Sequence, residues 1–200
     1  SRFEASLLLD GSTWEVDGGL KAGMAIHNGQ FGDRSFGFVA MLFRLLCTNG
    51  MMDVISSETS GRKRHVGKVD LAADVVEAVG RADEMYTRSR QAVDIECNVM
   101  MVLIEMYRRG FINRGALKKA VERTFETFNG VAVEGAGTTL WGLTQSLTAA
   151  GRDYSFAQMT DLGEISGKLL FNGLKVLEAK PITNEADSIE DVLEYLGMAA

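Results

Sequence analysis

Phe36-Gly37-Phe38-Val39-Ala40-Met41-Leu42-Phe43-Arg44-Leu45-Leu46-Cys47-Thr48-Asn49-Gly50 is the stretch on which the fold turns. Ser35 before it is a good helix cap, and Asn49-Gly50 supplies residues that tolerate the left-handed turn at a helix C-terminus. Phe36, Val39, Ala40, Leu42, Phe43, Leu46 and Cys47 make a broad apolar stripe. The segment is therefore expected to be a largely buried helix with Arg44 among its few charges.

Upstream the pattern reads as strands. Phe3 to Leu9 is rich in apolar residues, Asp10-Gly11 is a turn signal, Thr13-Trp14-Glu15-Val16 alternates, and Leu20 to His27 forms a third strand after Gly18-Gly19. Downstream, Met51 to Ser57 is expected as a further strand and Glu58 to Lys68 as a loop. Asp70 caps a helix in which Leu71, Val75, Val79, Ala82 and Tyr86 recur at helical spacing. Ile95 to Tyr107, almost continuously apolar and closed by Arg108-Arg109-Gly110, is expected as the central core helix. Asn113 caps another helix with Leu117, Val121, Phe125 and Phe128 on one side; Gly130 to Gly137 is a linker. Helices over Thr138 to Ala150 and Ser155 to Ala179 follow, with Leu140, Trp141, Leu143 and Leu147 as core.

The expected fold class is α+β: N-terminal antiparallel β-strands with one buried helix, followed by a mostly helical C-terminal half. Residues 1–180 form a single α+β domain, and residues 181–200 an acidic amphipathic tail. The composition, 46% hydrophobic and 24% charged over 200 residues, supports one sizeable core. Cys47 and Cys97 lie in apolar surroundings and point to a reducing compartment, the cytoplasm. No apolar run reaches bilayer length, and the amino terminus has no secretory cleavage pattern, so no membrane is expected. The chain opens at Ser1 without Met, which leaves room for an upstream segment.

Net charge is −6, but unevenly spread. Past Pro181 lie Glu185, Asp187, Glu190, Asp191 and Glu194 with no Lys or Arg. Removing those five from the 27 acids leaves 22 against 21 bases, a balance of about −1 for residues 1–180. In the tail, Ile189, Val192, Leu193 and Leu196 fall at helical spacing between the acids. That stripe reads either as a partner-binding face laid into a groove or as a final helix packed on its own domain.

Positive charge concentrates in Gly61-Arg62-Lys63-Arg64-His65-Val66-Gly67-Lys68, a density that attracts phosphate. The glycine spacing is one residue too long for a nucleotide-triphosphate loop, and Val69 stands where Ser or Thr would bind magnesium. The bland reading is a solvated loop balanced by Glu58 and Asp70. Lys118, Lys119 and Arg123, with Arg108 and Arg109 upstream, suggest a second basic surface, although cations on the outer side of a helix are often merely solvated. His27, His65, Cys47 and Cys97 have no ligand spacing, and neither a nucleophile elbow nor a dinucleotide fingerprint appears. No metal, cofactor or catalytic residue is assigned. Phe31 and Phe36 are the candidate stacking rings beside the basic loop.

Asn28-Gly29, the run Phe43 to Met51, Arg64-His65-Val66-Gly67, Thr139-Leu140-Trp141-Gly142-Leu143-Thr144-Gln145-Ser146-Leu147-Thr148 and Leu162 to Leu170 together resemble an uncharacterised family of phage- and plasmid-borne proteins, a domain of unknown function on mobile elements. Val66 and Gln145 depart from the Thr and Asn of that pattern, so neither position carries a catalytic assignment. The order strand, strand, strand, helix is similar to the core of single-strand annealing proteins. That similarity implies homo-oligomeric rings or filaments holding single strands in a basic groove, in recombination or replication, without metal or nucleotide. Arg62, Lys63, Arg64, His65 and Lys68 would then contact nucleic acid, Arg44 and Asn49 would brace the loop, and Lys118, Lys119 and Arg123 would extend the surface. Two rivals stand beside it: an interaction or inhibitor protein acting on a host component through the tail, and an enzyme with its site around His65.

Overall fold

The computed structural model describes the backbone at residues 2–14, 20–29, 37–44, 50–53, 71–124, 127–128, 131–132, 135–152, 154–184 and 188–197, with side chains at most positions from Val76 onward. Strands β1 (Arg2–Trp14), β2 (Leu20–Gly29), β3 (Gly37–Arg44) and β4 (Gly50–Asp53) pair antiparallel in sequence order. Asp10-Gly11 lies within β1, at a break in register between Leu8 and Thr13, rather than at a turn between two strands.

The fold-class expectation is corrected at its founding element. The segment expected as a buried helix is strand β3, which runs from His27↔Gly37 to Leu20↔Arg44 along β2 and pairs with β4 on its other side. A continuous apolar run carries no period that separates helix from strand. Phe38, Val39 and Phe43 suit a pleated backbone, and strands on both sides supply hydrogen-bond partners. Where side chains are described, the chain contains no strand and is 74% helical. The core among those residues is thus a helical assembly and not the α+β core expected.

That assembly comprises α1 (Leu71–Val93), α2 (Val99–Arg108), α3 (Arg114–Thr124), α4 (Leu140–Gly151), α5 (Phe156–Asn172) and α6 (Ile189–Tyr195), with a 3-10 segment over Gly173–Ala179. A two-residue ladder joins α3 to α4: β6 (Val131–Ala132) lies in the stretch expected as a linker, whereas β5 (Thr127–Phe128) falls where the preceding helix was expected to continue, so Phe128 is a strand residue and not a helical one. Helix α1 runs beside β2 and β3, and α5 beside β4. Helix α4 is the centre: all twelve of its residues are buried, and it packs on α1, α2, α3 and α5.

Local chemistry sets the helix ends. Asn113 Oδ1 accepts the Ala116 N–H at 2.8 Å and starts α3; the Thr139 hydroxyl accepts the Gly142 N–H at 3.1 Å and starts α4. Ser155 with Gln158, and Ser188 with Asp191, form capping boxes on α5 and α6. Helix α2 begins at Val99, four residues later than its apolar run. The Leu140 N–H donates to the Ile95 carbonyl at 2.8 Å and the Cys97 N–H to the Thr138 carbonyl at 2.9 Å, so these residues form a backbone bridge to the start of α4. A Cβ on Gly142 would run into the Gly135 carbonyl oxygen and the Ala136 backbone, so glycine is what lets the 135–138 turn lie on α4.

Candidate nucleic-acid interface

Helix α3 divides cleanly. Ala116, Leu117, Ala120, Val121 and Thr124 are buried against the core, which turns the remaining positions outward. Those positions include Arg114, Lys118, Lys119 and Arg123 against one acid, Glu122. Lys119 Nζ lies 3.5 Å from a Glu122 carboxylate oxygen, and Arg123 is half-buried. Arg114 and Lys118 are both exposed and stand one turn apart on the same side. Of the cations expected on this second basic surface, Lys118 is thus the most open, and Arg114 is a member that the reading of the sequence missed. Its position four residues before Lys118 was the available signal.

Arg108 and Arg109 do not belong to that surface. Arg109 Nε donates to Glu105 Oε1 at 2.6 Å, and one of its terminal nitrogens donates to the carbonyls of Leu177 at 3.1 Å and Lys180 at 2.6 Å. Arg108 lies 3.6 Å from the other Glu105 oxygen. The strap formed by residues 177–184 returns the contact. Thr183 and Asn184 N–H groups donate to the Arg108 carbonyl at 2.9 Å, the Asn184 amide to the Tyr107 carbonyl at 2.7 Å, and Lys180 Nζ to the Gly110 carbonyl at 3.1 Å. Carbonyls left open at the end of α2 are thereby satisfied by the chain segment leading into the tail.

That strap delivers α6 to the core. Val192 is 1% exposed, and Ile189, Leu193 and Leu196 pack around it against the core cluster. The apolar stripe of the tail is therefore covered by its own chain. At the last turn of α6, the Arg114 guanidinium stands 4.0 Å from the centroid of the Tyr195 ring, a cation–π geometry. Asp191 accepts from the Ser188 hydroxyl at 2.8 Å and the Ser188 N–H at 3.1 Å. Those two bonds, with a smaller contribution from the Arg114 charge, hold its carboxyl below the ordinary aspartate range.

Arg62, Lys63, Arg64, His65, Lys68 and Asn49 lie outside the described residues, as do Phe31, Phe36 and Cys47. Arg44 is corrected: it is the last residue of β3, paired with Leu20, and not the end of a helix. Cys97 is half-buried, and burial raises its thiol pKa, which removes it further from thiolate chemistry at neutral pH. A cavity of about 100 Å³ between α3 and α5, lined in part by Ile112, Asn113, Tyr154 and Asp161, is smaller than the pockets that enclose small-molecule ligands. Among the described residues, no three His, Cys, Asp or Glu side chains converge as metal ligands, and no helix is long and apolar enough to cross a membrane. Compared with protein-family models, curated proteins and solved structures, the chain matches none.

Proposed function

We propose that this chain binds nucleic acid, with single strands as its substrate, as a cytoplasmic homo-oligomer of a phage- or plasmid-type system acting in annealing, recombination or replication. The observation that carries the reading is α3: four bases against one acid on an eleven-residue helix, with Arg114 and Lys118 exposed one turn apart. Cations so spaced meet successive phosphates without reading sequence. The cationic run Arg62, Lys63, Arg64 and Lys68, with His65, supplies the density that α3 alone lacks. The resemblance in Phe43 to Met51 and Arg64 to Gly67 supports the mobile-element setting.

Fluorescence anisotropy of a labelled single-stranded oligonucleotide, titrated at low and moderate salt, tests the reading. Affinity should fall steeply with salt, and Lys118→Ala should weaken binding uniformly across sequences while reducing the log–log salt slope by about 1. Replacing Arg62, Lys63 and Arg64 together by Ala should reduce the slope further, by up to about 3 on the same rule. Absence of binding at low salt, or binding indifferent to both variants, removes the proposal.

A further inference from the structure

The acidic tail helix is anchored beside the cationic helix. Val192 seats α6 in the core, and the Tyr195 ring lies under the Arg114 guanidinium at 4.0 Å, at the exposed first turn of α3. Asp191 is one turn before Tyr195 and so shares its side of α6; Glu194 adjoins it, and α6 carries no Lys or Arg. Both carboxylates are exposed, and Asp191 stands on the side of α6 that meets the guanidinium through Tyr195. Charges at such a surface act on one another over roughly 10 Å at 0.1 M salt. The Ser188 cap holds Asp191 in place, and Arg114 is itself among the influences that keep the Asp191 carboxyl ionised.

We propose that α6 is a cis-acting competitor for the nucleic-acid surface of α3, holding carboxylates beside Arg114 so that a polyanion must displace or outweigh them. The inference rests on the nucleic-acid reading of α3 and adds its regulation. The body of the chain up to Lys180 is close to neutral, so five acids past Pro181 are enough to set the sign of the field that an approaching strand meets. Because the apolar stripe of α6 is seated in the core, these carboxylates stay close to Arg114 instead of sampling a wide volume, which raises their effective concentration there. Any event that lifts α6 would then raise affinity without changing α3.

The test is the full chain carrying Asp191→Asn and Glu194→Gln together, compared with the unaltered chain for binding a labelled single-stranded oligonucleotide. The amide oxygen that Asp191→Asn leaves in place can still accept the Ser188 bonds, so the cap persists while two charges disappear. The variant should bind roughly three- to tenfold more tightly at low salt, and the ratio should shrink towards one as salt rises past the screening length. Arg114→Gln placed in both backgrounds completes a double-mutant cycle and should remove most of the gain. If the unaltered chain binds and the double variant binds equally well, the competition is overturned and the nucleic-acid reading stands. A gain that survives in full with Arg114→Gln also overturns it, since the acids then act elsewhere. If neither protein binds at low salt, the nucleic-acid reading itself falls.

Discussion

Helices α2 and α4 are neighbours in the core, and the one richer in large apolar side chains is the less buried. Helix α2, Val99 to Arg108, faces the interior with Val99, Leu103, Ile104, Met106 and Tyr107, but leaves Met101 43% exposed and carries the half-buried Glu105 and Arg108. Helix α4 holds Thr144, Gln145, Ser146 and Thr148 and is buried at every position. Lack of charge, small size and self-satisfaction explain the difference. The hydroxyls of Ser146 and Thr148 donate to the carbonyls of Gly142 and Thr144 one turn back, at 2.8 and 3.0 Å, and Thr144 donates to Trp141 at 2.8 Å. A hydroxyl paired within its own helix avoids the roughly 1–3 kcal/mol of an unsatisfied buried polar group. Thr124 and Ser166 on the flanking helices do the same, and Thr124 also reaches Ser146 at 3.1 Å. Gly142, Ala149, Ala150 and Gly151 keep α4 thin; a Cβ on Gly151 would press on Met159 of α5 at 3.3 Å. Central position here goes with the absence of charge, small volume and internal pairing of the hydroxyls, and not with the number of large apolar side chains.

The largest expected effect falls on Trp141, the largest fully buried side chain among the described residues. Trp141→Ala should destabilise the fold by about 3–5 kcal/mol, read as a loss in the chemical-denaturation midpoint. A loss below about 1 kcal/mol would mean that α4 is not the centre. Gly142→Ala probes thinness alone, because the added methyl meets the Gly135 carbonyl oxygen and the Ala136 backbone, neither of which can rotate away. It should cost about 1–3 kcal/mol, in the range of overpacking changes, although alanine is the better helix former. An unchanged or raised midpoint would show that the 135–138 turn does not rest on α4.

Local signals carried over in the helical half, whereas the turn signal at Asp10-Gly11 and the choice of partners did not. Asn113 and Ser155 are legible as caps because the chemistry lies within three residues, and Leu140, Trp141, Leu143 and Leu147 are legible as core because bulky residues recur at helical spacing. The segment Gly37–Arg44 was not legible, since apolar side chains on all sides suit a helix as well as a strand flanked on both edges. The late start of α2 depends on a bridge to Thr138 and Leu140, more than forty positions away in sequence. At the candidate interface, spacing alone puts Lys118, Lys119 and Arg123 on the outer side of α3. It does not reveal that Arg109 is held by the carbonyls of Leu177 and Lys180, or that α6 stands beside Arg114, because both depend on where the strap after α5 comes to rest.

The smallest effect sharpens the contrast from the other side. Met101 is one of the large apolar side chains of α2, and its backbone N–H is already held by Asn98 Oδ1 at 3.1 Å. If burial and not composition decides what a residue contributes, Met101→Gln should change stability by less than about 0.5 kcal/mol, since little apolar area returns to water and Gln is nearly as good a helix former as Met. The same substitution at Met106, which is fully buried two turns from the cap, should cost about 2–5 kcal/mol, by comparison with removal of a buried Met side chain and with an amide left in the interior. Equal costs at the two positions would mean that Met101 is covered in the native protein, and α2 would then share the enclosed setting of α4.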